Sequence, residues 1–149
     1  FVGRAGKLLN STLETLGWKR SDFYISNVVK YRPQNDLGGN ATPTPQEIEK
    51  FKPSLEKEIE AVDPKLIVIL GRIAMNGLGI EGAITNLRGH VLEKFIPPPQ
   101  PAASLFEKSE HPEGVRRKIL IAYHPAAVLR NPNWGPLLRK DLAKIRELI

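Results

Sequence analysis

Apolar positions recur along this chain with two different periods. Between residues 4 and 16, Ala5, Leu8, Leu9, Leu13 and Leu16 fall at helical spacing, and Gly17 supplies a stop. Residues 23–29 (FYISNVV) are aromatic and β-branched and follow Ser21-Asp22, which predicts a strand. The run from Tyr31 to Pro45 packs prolines, glycines and asparagines too densely for anything but a long loop, and loops of that length inside a domain are usually functional or mobile. Thr44, Pro45 and Glu47 spell an N-cap, a first-turn proline and a capping box. The stripe Ile48, Phe51, Leu55, Ile59, Val62 continues that helix to Asp63-Pro64, and Pro53 should kink it or split it.

Residues 65–70 (KLIVIL) and 118–123 (KILIAY) are nearly continuous apolar runs, the pattern of strands buried on both faces. Gly71-Arg72 turns the first of them into a short helix carrying Ile73, Ala74 and Leu78. Gly79 and Gly82 frame a loop, and residues 87–95 suit an edge hairpin or strand. Residues 96–114 are polar and proline-rich and predict a flexible insertion rather than a boundary. After the last strand come HPAAVLRNPNW and a helix over 136–149. The alternation predicts one α/β domain over 1–149: a small parallel sheet between two helical layers, a three-layer α/β/α sandwich. In such folds ligands gather at the carboxyl ends of the strands, which brings together residues 27–30, Gly71-Arg72 and residues 123–125.

Composition narrows the chemistry. The 149 residues include no cysteine, so no thiolate zinc site, disulfide or cysteine nucleophile is available within them. No apolar run approaches the roughly 20 residues of a membrane span, and Arg4 and Lys7 precede an amphipathic stretch rather than a signal-peptide core. The net charge of +6 is uneven: residues 104–149 carry nine Lys/Arg against five Asp/Glu. That fits an anionic partner and fits a solvated helix face equally well.

His124 stands at the end of a buried strand, before a proline that can start a helix and ahead of Arg130. That setting favours a neutral imidazole and an anion beside it, though a structural histidine is about as frequent in such a place. Asn27 ends the first expected strand; its amide pairs a donor with an acceptor, which suits a base edge and equally a cap or turn. Lys30 and Arg32 follow within reach of a phosphate, and Phe1 suits stacking on a base or stapling the first helix.

In order, FVGRAGKLLNSTLETLG, YISNVVKYRP, TPTPQEIEKFKPSLEKEIEAVDPKLIVILGRIA, LRGHV and YHPAAVLRNP resemble the family 4 uracil-DNA glycosylases, the thermostable bacterial and archaeal type. The resemblance spans nearly the whole chain apart from the proline-rich insertion. It implies a base-excision repair enzyme that flips uracil out of DNA and hydrolyses its N-glycosidic bond, monofunctional and without lyase activity. By resemblance, Phe1 stacks on the flipped base, Asn27 reads its edge and His124 donates to uracil O2 as the anion departs. Pro125, Ala126, Val128, Leu129 and Arg130 form a DNA-contacting loop with Leu129 as the wedge, Val128 sharing that role and Arg130 on phosphate; Lys30 and Arg32 join the DNA contacts.

Two departures accompany it. The family places a Gly-Glu-Ala-Pro-Gly-like motif, which supports the catalytic water, on a central strand just before the aromatic; this chain starts at Phe1. The expectation is a segment preceding Phe1 in the natural protein, with a second polypeptide or a degenerate fragment as alternatives. The family also holds a [4Fe–4S] cluster on four cysteines, two of which fall where this chain has Tyr31 and Phe51. No cofactor and no metal site are therefore expected, with Tyr31 and Phe51 packing in the cluster's place. The further expectations are a monomer acting on uracil-containing DNA, away from membranes, in the cytoplasm at the nucleoid. The alternatives are a module that grips uracil or abasic DNA without cutting it, and a glycosylase for another base such as hypoxanthine or a mismatched thymine.

Overall fold

A computed structural model describes residues 3–28, 43–96 and 114–149. The first helix, α1, spans Gly3–Thr15 and buries Leu9 and Leu13, the positions its periodicity marks. The second, α2, spans Pro45–Val62; the Thr44 hydroxyl accepts from the Glu47 amide, and the Glu47 carboxylate accepts from the Thr44 amide, both at 3.2 Å. This satisfies two of the donors every helix start leaves open. Pro53 does not split α2, which runs unbroken through it. A proline forfeits one ladder bond, but Ile48 before it and Ile59 after it are both buried and three turns apart, so packing holds both halves in line.

The sheet consists of β1 (Ile67–Leu70), β2 (Val91–Ile96) and β3 (Val115–Ala122), in the order β1-β3-β2. β1 and β3 are parallel, Ile67 opposite Ile119. β2 and β3 are antiparallel, Val91 opposite Leu120 and Ile96 opposite Val115. The α/β architecture is as expected; the sheet is mixed instead of wholly parallel. Parallel pairing needs a crossover connection, usually a helix, and the sequence between β2 and β3 carries no helical pattern.

Residues 23–28 are a second correction. They join no ladder among the described residues. Their side chains are taken up by neighbouring helices and rings instead: Phe23 meets Trp18 edge to face at 5.7 Å, the Tyr24 hydroxyl donates to Glu58 on α2, and Val28 is buried. Two short helices follow β1, α3 (Arg72–Gly77) and α4 (Ile84–Leu87). The chain ends in α5 (Pro125–Arg130), α6 (Gly135–Leu142) and α7 (Ile145–Leu148), so the single expected helix over 136–149 is broken at Ala143-Lys144.

β3 organises the core. Ile119 and Ile121 point to one face, where they meet Ile59 of α2, Ile69, Met75 of α3 and Leu78. Leu120 and Ala122 point to the other, against Leu9 and Leu13 of α1, Val128 of α5, Leu138 and Leu142 of α6 and Ile145 of α7. Helices thus cover both faces, the three-layer arrangement. Residues 119–122 have no exposed surface, and burying each of their large side chains stabilises the fold by roughly 1.5–3 kcal/mol. Across the second face, Asp141 of α6 takes a two-pronged bond from Arg88, at 3.0 and 3.1 Å.

Candidate functional site

The carboxyl end of β3 passes through Tyr123 into His124. Tyr123 is buried and stacks on Trp134, ring centres 4.3 Å apart and planes within 7°. That pair closes the turn around α5 like a clasp, and nothing in the sequence beyond two aromatics eleven positions apart announces it. His124 is the N-cap of α5, in extended backbone, and Pro125 follows at the first helical position, where its missing amide costs nothing.

The imidazole is oriented by its own helix. Nδ1 accepts a hydrogen bond from the Ala126 amide at 2.9 Å. An accepting Nδ1 carries no proton, so in the neutral ring the proton sits on Nε2. Burial, and after it the positive charge of Arg130, hold the His124 pKa below its ordinary 6.5. At neutral pH this side chain is an uncharged donor with a fixed tautomer.

Within α5, alternate faces divide the expected DNA-contacting residues. Arg130 is exposed, and Ala126 and Leu129 are half-buried. Pro125 and Val128 point inward: Pro125 is fully buried and Val128 only 4% exposed, in the cluster with Leu9 and Leu138. Neither can touch DNA directly. Three residues apart on a helix, they share its inner face, so the wedge role drawn for Val128 falls away.

Across the rim, the Gly71 amide donates to the Ala122 carbonyl at 2.9 Å and joins the end of β1 to the end of β3. Arg72, the first residue of α3, is exposed beside it. At the far end of α3, Gly77 lies against Val28, whose chain neighbour Asn27 is exposed. The structure therefore brings His124 to one end of α3 and the Asn27 segment to the other, on a helix of six residues whose axis rises about 9 Å. Phe1, Lys30, Tyr31 and Arg32 lie outside the described residues. Two open surface grooves, one lined by Pro45, Gln46, Glu49 and Lys50 and one by Leu16, Pro136, Arg139, Lys140 and Ala143, include neither His124 nor Asn27.

An iron–sulfur cluster does not fit the residues present. Phe51 is half-buried on α2 with the Lys50 ammonium 5.9 Å from its ring centre, and the chain offers no thiolate. Among the described residues no group of three or more acidic or imidazole side chains could hold a metal ion, and no helix is long and apolar enough to cross a membrane.

The sequence matches the uracil DNA glycosylase superfamily over residues 1–147. It is 39% identical to a type-4 uracil-DNA glycosylase of Archaeoglobus fulgidus over 153 residues, covering 99% of this chain and 67% of that protein. Identity to the type-4 uracil-DNA glycosylase of Sulfurisphaera tokodaii is 37%, with 99% and 61% covered. For that of Pyrobaculum aerophilum it is 38%, with 96% and 65% covered. The chain thus spans about two thirds of the length of the curated relatives it matches. A helix-covered α/β sheet with an N-capping histidine at its rim, and a family match over nearly every residue, lead to one conclusion: the chain belongs to the uracil DNA glycosylase superfamily.

Proposed function

We propose that this chain is the greater part of a uracil-DNA glycosylase acting in base excision repair. The observation that carries the reading is His124: a neutral ring at a strand end, its tautomer fixed by the Ala126 amide so that Nε2 holds the donor proton. The reaction adds water across the bond between C1′ of deoxyribose and N1 of uracil. The bonding pair leaves with the base, the water oxygen bonds to C1′, and the base anion gains a proton as free uracil. Negative charge develops on uracil O2 only as the bond breaks. A donor aimed there stabilises the transition state more than the bound substrate, and one such donor is worth about 10²–10³ in rate.

The other residues serve access and selection. Extruding a base from the stack costs a few kcal/mol, and stacking on Phe1 returns roughly 1–3 kcal/mol of it. The Asn27 amide pairs with uracil O4 and N3–H; cytosine offers the opposite pattern at both atoms and would leave buried groups unpaired. Leu129 supports the opened stack, and Arg130, Lys30 and Arg32 hold phosphates. We further propose that it acts as a monomer, in the cytoplasm at the nucleoid.

The test is single-turnover excision by the full-length protein on matched oligonucleotides carrying uracil or cytosine at one position. Release of free uracil, leaving an alkali-labile site, supports the reading, as does a shift of preference towards cytosine in Asn27→Asp. Tight binding of uracil-DNA with no release would replace it with a binding module. Release of hypoxanthine or mismatched thymine in preference to uracil would move it to another base.

A further inference from the structure

α3 carries a glycine at each end of its contact with the site, and each is pressed against a different functional segment. Gly71 has φ +90, a conformation side-chain-bearing residues rarely adopt. A Cβ there would lie 2.9 Å from the His124 Cβ, 3.6 Å from its amide nitrogen and 3.7 Å from its Cα. Those are backbone and near-backbone atoms that cannot swing aside. Gly71 is also locked in place, donating to the Ala122 carbonyl and accepting from the Met75 amide. At Gly77 a Cβ would lie 2.7 and 2.9 Å from the two methyl carbons of Val28. Val28 is itself buried, so its methyls have little room to turn, and a displacement of Val28 is passed to its chain neighbour Asn27. Between the two glycines, Met75 is wholly buried and anchors α3 in the core.

We propose that α3 is the spacer that sets the relation between the base-reading and the bond-breaking residue, with Gly71 as the positioning residue for His124 and Gly77 as that for Asn27. The proposal rests on the glycosylase reading for what the two segments do. It goes beyond that reading in dividing the two functions between the two ends of one helix. Damage at Gly71 reaches the chemical step; damage at Gly77 reaches the choice of base. Glycines that merely allow close packing would, when replaced, lower stability and shift both functions together.

The experiment uses the full-length protein below its melting temperature. Gly77→Ala is expected to reduce the preference for uracil over cytosine about tenfold to a hundredfold, the range that overpacking by one methyl group produces. Val28→Ala added to it removes both methyls the new Cβ meets and restores the preference. Gly71→Ala is expected to slow single-turnover release of uracil with the uracil-DNA Kd and the uracil-to-cytosine preference unchanged. In a His124→Ala background it causes no further loss, because the interaction it disturbs is already gone. Multiplying effects of Gly71→Ala and His124→Ala, or a folded Gly77→Ala protein with intact preference, or a folded Gly77→Ala/Val28→Ala protein without rescue, overturns the spacer. If Gly71→Ala does not fold, the Gly77 pair decides alone. A wild-type protein without excision overturns the glycosylase reading instead. The spacer is then judged from histidine nitrogen-15 spectra, where unchanged His124 ring shifts in folded Gly71→Ala refute it.

Discussion

On the proposed reading, His124 performs two tasks that substitution can separate. Nδ1 caps α5 by accepting from the Ala126 amide at 2.9 Å, and Nε2 holds the proton. His124→Ala removes both. The lost cap destabilises the fold by about 1 kcal/mol, and the lost donor raises the barrier by about 2.7–4 kcal/mol, or 10²–10³ in single-turnover rate. His124→Asn removes only the second: asparagine is among the best N-cap residues and accepts through Oδ1, but its amide is shorter than an imidazole and ends before the Nε2 position. Urea unfolding should therefore rank wild type and His124→Asn together above His124→Ala, and excision should rank wild type alone above both. The pH dependence carries the same signature. The folded histidine has a pKa below the ordinary 6.5, so between the two values the unfolded chain binds more protons than the folded one. The stability contributed by His124 is complete above about pH 6.5 and is lost as the pH falls through the lower, folded pKa. Protonation leaves Nε2–H in place but takes the Nδ1 acceptor that orients the ring, so the acid limb of the excision rate that His124 sets lies below 6.5, and His124→Asn abolishes both dependences. Wild-type excision by His124→Asn, or an acid limb above 6.5, would refute the assignment of Nε2 as donor.

Three further outcomes are expected. Asp141 has no exposed surface and takes both bonds of Arg88, so Asp141→Ala should cost about 3–5 kcal/mol in urea unfolding by stranding the guanidinium; a loss under about 1 kcal/mol would show the pair to be replaceable by water. Affinity for DNA should fall steeply with salt, and Arg130→Ala should weaken binding to all sequences alike and reduce the salt slope by about one; salt-independent binding would remove nucleic acid from the reading. The purified protein should be colourless and free of iron by elemental analysis, and stoichiometric iron would mean that ligands other than cysteines at positions 31 and 51 hold a cluster.

What the sequence made legible, it made legible through local signals strong enough to survive tertiary context. The Thr44 capping box starts α2 because its two bonds are internal to four residues. KILIAY reads as a buried strand because both faces of β3 are indeed covered. Residues 23–28 mislead for the opposite reason: aromatic and β-branched side chains report a fit to a half-buried surface, not a ladder partner, and here helices and Trp18 supply that surface. The helix start at the strand-end histidine and its proline was legible for the same local reason as the capping box. The burial of Val128 was not, because five consecutive residues with apolar side chains, Pro125, Ala126, Ala127, Val128 and Leu129, leave the phase of the helix undefined until α1 and α6 cover one face. Contacts such as Gly77 with Val28 and Tyr123 with Trp134 join positions the sequence offers no means of pairing.

On the proposed reading, these contacts explain why the chemistry sits where it does. The segment 119–122 is fixed by packing on both faces, by β1 along one edge, and on the other by β2 as far as Leu120 and by Gly89 and His90 at Ile121; Gly71 ties its last carbonyl to the end of β1. A ring mounted two residues beyond that carbonyl inherits the rigidity of the core, which a donor aimed at a developing charge requires. Asn27 is mounted differently, on a segment held by Tyr24 to Glu58 and by Val28 against Gly77, without a ladder among the described residues. Base selection needs a fit that admits one base edge and rejects another, and a side-chain-anchored segment can be retuned without moving a strand. Substitutions along β3 should accordingly lower rate and stability together, whereas those around Val28 change preference first.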